Sequence, residues 1–525
     1  MSGSREKQLR KLEREQNPEA YQKKKKKQQG LSKGKKIAIT VISCVVCVLL
    51  IGGIITAVFM QSGGFTRMVT AAKVGDYSLS AADYNYYYYG AYQNFVSQNQ
   101  SYLSMYGLDT EESLSSQECP FLEEGTWADY FRQTAENSIS TTYALADTAE
   151  KEGYQFTEDD QAYMDMIFDT LENAASSQNV SLDTVLENSY GPGVNYSVFE
   201  SQVKRETLAD SYRNYLIDNY NFTEEEINAS YTENQSSIDQ ATYHSLLIAT
   251  EDYYPESVTS SSATEEQKAA AKEAAKAAAD EMLGKIAQDG SNFKELCSEY
   301  ADEEDKAEYE GADDPSLSEN RYKSNVSDST VSTWLFDNAR TAGEKTVLET
   351  STGYQVVYLV DKGKTMTNVV DVRHILLAPS STVDQTEGMT EEQTQEVTNE
   401  AQTILDTWKS GEATEASFAQ LARENSTDTG SSYTGGLYED VYPGQMVDSF
   451  NDWCFDTARK PGDTGIVTST YGAHVMYFVG TGDPYWKVQA RSYLANDKYS
   501  EYLEGLLANY TIAQDGFGFG FTAQL

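Results

Sequence analysis

Asp371–Pro379 reads DVRHILLAP, and Ala241–Ala249 reads ATYHSLLIA. Both are short, apolar and rich in aliphatic residues, which predicts strands. Aligned on their Leu-Leu pairs they place His374 and His244 in register, 130 residues apart. The likeness extends beyond the strands. Each is followed by a polar loop and then by Thr-Glu-Glu-Gln, at Thr264 and at Thr390, a capping box that opens a helix. Glu265–Leu283, EEQKAAAKEAAKAAADEML, has very high intrinsic helix propensity. NFKELCSEYA (292–301) matches SFAQLARENS (417–426), and WLFDNARTAGEK (334–345) matches WCFDTARKPGDT (453–464). TSTGYQVVYLV (350–360) then matches TSTYGAHVMYFV (468–479), a closing strand. The second half therefore holds two copies of a strand–helix–helix–helix–strand unit of about 120 residues.

Upstream of the repeat, residues 61–240 read mainly as helices. Apolar residues recur at three- and four-residue spacing over Ala128–Glu152, Glu158–Ala174 and Ser197–Asn219. Val74–Phe95 reads as a short strand and turn feeding a helix, and Thr223-Glu-Glu-Glu226 is a further capping box. The tyrosines at 84, 86–89 and 92 admit two readings, a surface for extended chains or rings packing helix on helix. Ile37–Met60 is an uncharged apolar run of 24 residues, about 36 Å as a helix and enough to cross a hydrocarbon core of ~30 Å. Lys23–Lys27 and Lys33, Lys35 and Lys36 precede it, so the positive-inside rule keeps that end cytoplasmic and sends residues 61–525 outside. This predicts a single-pass signal anchor in the cell membrane.

Net charge is −42 over 525 residues, unevenly spread: residues 1–36 carry +9 and the remaining 489 carry −51. So acidic a body repels phosphate backbones and argues against nucleic-acid binding. Three His and five Cys make a multi-His metal site improbable and rule out a disulfide framework. Cys297 and Cys454 fall at small core positions of the repeat, and Cys119 in a polar loop.

The second copy resembles the parvulin family of peptidyl-prolyl cis/trans isomerases. The resemblance rests on VRHILL (372–377), FAQLARENSTDT (418–429), GGLYEDVYPGQMVDSF (435–450) and TSTYGAHVMYF (468–478). The whole layout resembles the PrsA/SurA-type extracytoplasmic foldases, with VGDYSLSAADYNYYY near the start of the helical region and FTEEEINASYTENQ near its end. It departs from the usual lipoprotein form by having an apolar span in place of a lipid-bearing Cys. The resemblance implies an α+β chain. It would consist of a basic tail (1–36), a transmembrane helix (37–60), a helical chaperone region (61–240) and a degenerate parvulin-like unit (241–363). A parvulin-like isomerase unit (364–482) and a C-terminal helix packing on the chaperone region (483–525) would follow. Each unit would be a small antiparallel sheet flanked by helices.

Residue by residue, the resemblance implies that His374 and His474 are paired histidines on adjacent central strands. Asp428 fills a place the family gives to Cys or Asp, Ser469 is the hydroxyl residue before the second His, and Met446 and Phe450 form the pocket for the proline ring. Where the family has Gly-Asp-Leu-Gly and an aromatic, this chain has Gly436-Leu437-Tyr438-Glu439-Asp440-Val441. In the first copy the partner of His244 aligns with Gln355, which implies a catalytically silent unit. The expected function is a membrane-anchored isomerase and chaperone for newly exported polypeptides with X-Pro bonds; the alternative is a non-enzymatic holdase or assembly scaffold. The chemistry calls for no metal or cofactor, since an X-Pro bond is rotated and none is broken.

Overall fold

The computed structural model describes residues 63–302, 305–383, 388–523 and 525. The predicted span Ile37–Met60 and the basic tail lie outside the described residues. Among those described, no helix is long and apolar enough to cross a membrane. The chain divides into two compact units, one of residues up to 143, 171–205 and 510–525, the other of residues 144–170 and 206–509.

In the first unit, strands β1 (Thr70–Val74) and β2 (Tyr77–Ser80) form an antiparallel hairpin. Ser80 then caps the helix Ala81–Gln98 in a reciprocal box with Asp83. Tyr84, Tyr86, Tyr87 and Tyr88 are all buried. The Tyr84 hydroxyl donates to Glu136 (3.0 Å) and that of Tyr87 to Gln202 (3.1 Å). For these four rings helix packing is the reading realised, with the hydroxyls of Tyr84 and Tyr87 satisfied, while Tyr89 and Tyr92 are half-buried.

The second unit carries two antiparallel sheets. The first joins β3 (Gln240–Ala249), β4 (Leu317–Tyr322), β5 (Lys345–Glu349) and β6 (Gly353–Gly363) in the order β4-β3-β6-β5. The second joins β7 (Asn368–Leu377), β8 (Leu437–Val441), β9 (Thr464–Ser469) and β10 (Gly472–Pro484) in the equivalent order β8-β7-β10-β9. The repeat is thus one topology used twice. Thr264 and Thr390 cap the long helices Glu265–Lys285 and Glu391–Ser410 as their sequences dictate. In the second sheet, Ile375, Leu377, Ala473 and Val475 bury one face against Ala401 and Trp408 of the helix Glu391–Ser410 and Phe418 of the helix Glu415–Asn425. Val370, Val372, Met476 and Phe478 pack on the other face with Phe450, Trp453 and Cys454 of the short helix Asp448–Cys454. Because side chains alternate along a strand, His374 and His474 project to this second face. The helix Tyr485–Leu507 packs on Glu224–Ile238, where the Ser230 hydroxyl donates to the Ala490 carbonyl (2.9 Å). Tyr499 joins Leu145, Ala149, Leu208 and Tyr212 in one core.

A final short strand, β11 (Ile512–Gln514), belongs to the first unit and pairs with β1, giving the order β11-β1-β2. The Gly/Phe stretch after it closes that sheet's end: Phe519 meets the Tyr84 ring edge-on at 5.1 Å and Phe521 meets Phe65 at 4.8 Å. Gly518 must be glycine, because a Cβ there would fall on the Thr70 carbonyl oxygen, far inside van der Waals contact. Gly518→Ala is expected to cost about 2–3 kcal/mol, the range for a backbone clash the neighbouring strand cannot relieve. Circular-dichroism melting checks this; an unchanged midpoint would mean the tail is merely laid on the surface. Cys119, Cys297 and Cys454 are buried free thiols.

Candidate active site

Strands β7 and β10 pair so that Met476 lies opposite His374 and Leu376 opposite His474. The two imidazoles are therefore diagonal neighbours on one face, with Nδ1 atoms 3.2 Å apart. His374 is 4% exposed and His474 5%. The His374 Nε2 lies 2.8 Å from Asp428 Oδ2, and the His474 Nε2 lies 2.8 Å from the Ser469 hydroxyl. Four of the residues named from sequence thus form one hydrogen-bonded row. Phe450 lies edge-on to both imidazoles, each at 5.5 Å. Met446 is partly buried beside the same apolar cluster.

The row has a direction, assigned here from the bonding pattern. A carboxylate can only accept, so His374 donates to Asp428 from Nε2–H. A neutral His374 then offers Nδ1 as acceptor, and His474 donates to it from its own Nδ1–H. That leaves His474 Nε2 to accept from the Ser469 O–H, while the Ser469 oxygen accepts from the Tyr471 N–H (3.1 Å). Burial, with the nearby His374 second, lowers His474 from its ordinary value to about 4, which keeps it neutral near pH 7. The hydrogen bond from His374 holds the Asp428 carboxyl well below the usual range, against the opposing effect of burial.

Two further residues complete the site, and neither was singled out from sequence. Ser431, 1% exposed, donates to Asp428 Oδ2 at 2.5 Å. The Tyr438 hydroxyl donates to the same oxygen at 3.0 Å, and burial, with the carboxylate beside it, pushes that phenol up to about 12. Tyr438 sits in the stretch that departs from the family's Gly-Asp-Leu-Gly, so the departure contributes a third donor to that Oδ2. The preceding Gly435-Gly436 pair is the signal that marks the spot: both have positive φ (69° and 73°), and the Gly436 carbonyl accepts from the His374 N–H at 2.8 Å.

The first sheet shows where the sequence alignment of the histidines fails. Ser245 pairs with Val357 and donates its N–H to the Ser316 carbonyl at 2.9 Å, the bonds that His374 makes to Met476 and Gly436. Ser245, not His244, therefore occupies the place of His374, and His244 matches Arg373 on the opposite face. The Leu-Leu match is off by one residue, and a one-residue slip exchanges the faces of a strand. His244 instead stacks on Phe293 at 5.1 Å and bonds the Ser316 hydroxyl through Nδ1 (2.9 Å). Gln355 pairs with Leu247 as His474 does with Leu376, so it does stand in the place of His474. Its Oε1 is buried with no hydrogen-bond partner among the described residues. The first copy consequently lacks both histidines.

Both sheets belong to a recognisable class of domain. Residues 229–363 and again 354–479 match the model of the PPIC-type PPIASE domain, so the chain carries two parvulin-type domains in tandem. It is similar to the Foldase protein PrsA 1 of Listeria innocua, 36% identical over 116 residues, or 22% of this chain and 32% of that protein. It is similar also to the Chaperone SurA of Pseudomonas fluorescens, 32% identical over 164 residues, or 29% of this chain and 34% of that one. The chain spans about a third of the length of these curated relatives. Among solved structures, PrsA from Bacillus subtilis aligns with 60% of this chain and 88% of its own at 16% identity and a TM-score of 0.20.

Proposed function

We propose that this chain is a membrane-anchored extracytoplasmic foldase whose second parvulin-type domain catalyses prolyl cis/trans isomerisation in newly exported polypeptides. The observation that carries the reading is the directional row from Ser469 through His474 and His374 to Asp428, lying beneath the Phe450 ring. The barrier to rotation about an X-Pro bond is ~18–20 kcal/mol and arises from amide resonance. Phe450 and Met446 provide an apolar seat for the proline ring, which favours the twisted, less dipolar amide over the planar one. The row beneath holds each polar group in one orientation, so little reorganisation is needed as the amide dipole changes. With every imidazole proton already committed to an acceptor, the histidines are positioning and hydrogen-bonding groups rather than proton shuttles. The anchor and the outward placement of residues 61–525 rest on Ile37–Met60 and its flanking lysines. The likeness to proteins named foldase and chaperone supports the folding role.

Prolyl isomerisation of a neutral four-residue X-Pro peptide by the full chain tests the reading, with His374→Ala, Phe450→Ala and His244→Ala beside it. The wild type and His244→Ala should accelerate the reaction equally. The other two should lose on the order of tenfold or more of that rate. No acceleration by a well-folded wild type would leave the second reading, a non-enzymatic holdase or scaffold. One observation already favours that role for the first domain alone: Ser245 and Gln355 stand where the second has its histidines.

A further inference from the structure

Away from the histidine pair, the second unit contains a cavity of about 570 Å³ walled by the loop and helix start at residues 154–163, by the helix stretch 207–219, and by Tyr433 and Thr434. Its lining has four tyrosines and four aspartates but no lysine, arginine or histidine. Two of the lining rings meet, Tyr163 against Tyr433 with centroids 5.2 Å apart. An ion pair between Arg423 and Asp159 ties the same two walls together at 2.5 Å. Asp159 is thereby neutralised, and Asp160 accepts from the Thr157 N–H and the Ser211 hydroxyl. Among the described residues Asp210 and Asp218 have no hydrogen bond or ion pair, and the cation nearby is Arg213, which acts on Asp210 through space. Thr207 also lines the cavity; it is 6% exposed, and its hydroxyl has no hydrogen-bond partner among the described residues. A buried hydroxyl facing a cavity without a partner is a group that a ligand can satisfy.

Free carboxylates set among tyrosine rings suit one kind of side chain. A lysine ammonium or arginine guanidinium gains charge-assisted bonds from the former and cation–π attraction from the latter. The chain's own location points to the source of that cation. The loop that sends Ser431 to Asp428 and His374 sends Tyr433 and Thr434, two and three residues on, into the cavity wall. Arg373, next to His374, holds that loop through the Thr434 and Gly435 carbonyls at 2.7 and 3.1 Å. The histidine row and the cavity wall are thus joined by two residues of one loop, a span that an extended polypeptide at ~3.3 Å per residue matches with a similar number of its own residues.

We propose that this cleft is a specificity site that takes a lysine- or arginine-bearing stretch of an unfolded client lying close in sequence to the proline being turned over. The proposal rests on the isomerase reading for its second half only, since binding to the cleft needs no catalysis. Two twelve-residue peptides with one central proline, one flanked by three lysines and the other by three glutamates, are titrated against the full chain by fluorescence anisotropy. The lysine peptide should bind roughly tenfold tighter than the glutamate peptide, with the difference shrinking as salt is raised. Asp210→Asn combined with Asp218→Asn should abolish that preference while leaving turnover of the neutral four-residue peptide unchanged. Tyr163→Ala should weaken the lysine peptide by a smaller factor. Equal affinity for the two peptides, or a preference that survives the double substitution, overturns the cleft. A preference that disappears as expected in a chain that turns over no peptide keeps the cleft and removes the isomerase reading.

Discussion

Gly436→Ala is expected to unfold the second parvulin-type domain's edge and to take its histidine site with it. The added Cβ would land on the carbonyl oxygen of His374 and close to that residue's carbonyl carbon and nitrogen as well. All three are backbone atoms of β7, a central strand, so no side chain can swing aside. The residue also sits at φ +73°, where an L-residue carries a strain of about 1–3 kcal/mol. Both costs fall on the bond from the His374 N–H to the Gly436 carbonyl and, two residues further on, on the bond from Tyr438 to Asp428. A loss of about 3–5 kcal/mol follows. Gly444→Ala is the control: φ there is +83°, but a Cβ would meet no atom within 4 Å. It should cost only the conformational strain and leave isomerisation intact. Denaturant unfolding of the two variants decides the matter; equal losses would show that crowding against β7 contributes nothing.

The second large effect is the response to acid. His474 is held neutral by burial, its value lowered from 6.5 to about 4. An unfolded chain binds a proton at this residue as pH drops below about 6.5, whereas the folded chain does not until about 4. The unfolded state therefore holds more protons across that window, and stability falls as pH falls. The whole contribution is present above about 6.5 and spent by about 4, a difference of about 3 kcal/mol. Asp428 acts lower. Its depressed value stabilises the fold above the ordinary carboxylate range and ceases to do so as acid protonates it. Melting temperatures of the wild type and His474→Gln between pH 8 and 4 should diverge least at pH 4. An NMR titration of the imidazoles should find His474 still neutral at pH 5. A charged His474 at pH 5 would sink both the pH window and the proposed direction of the row.

Much of this site could be read from residues alone, because each of its parts sits in a local pattern. His374 follows Val-Arg in a strand, His474 follows Gly-Ala in another, and the capping threonines fix where the helices begin. The register of His244 could not be read. YHSLL and RHILL both place a histidine just before a Leu-Leu pair, and in a strand with apolar neighbours on both faces, alternation gives no hint of which face is which. Only the partner strand settles it, through Ser245 opposite Val357. Ser431 and Tyr438 escaped for a related reason. Their side chains reach Asp428 because a tight double-glycine turn folds the chain back, and nothing in a hydroxyl's identity announces that. Strand β11 has three residues and no internal pattern; it becomes a strand by pairing with β1.

That last pairing has a consequence for the order of assembly. Both parvulin-type sheets lie between the two strands that meet in β11-β1-β2, so residues 512–514 are synthesised after every strand of those domains. Domains tend to fold as units while the chain is still being made. The N-terminal hairpin must therefore wait, its outer edge open to other strands, until some four hundred residues have been added. A chain truncated before residue 510 keeps every strand of both parvulin-type domains and still presents an unsealed edge at β1.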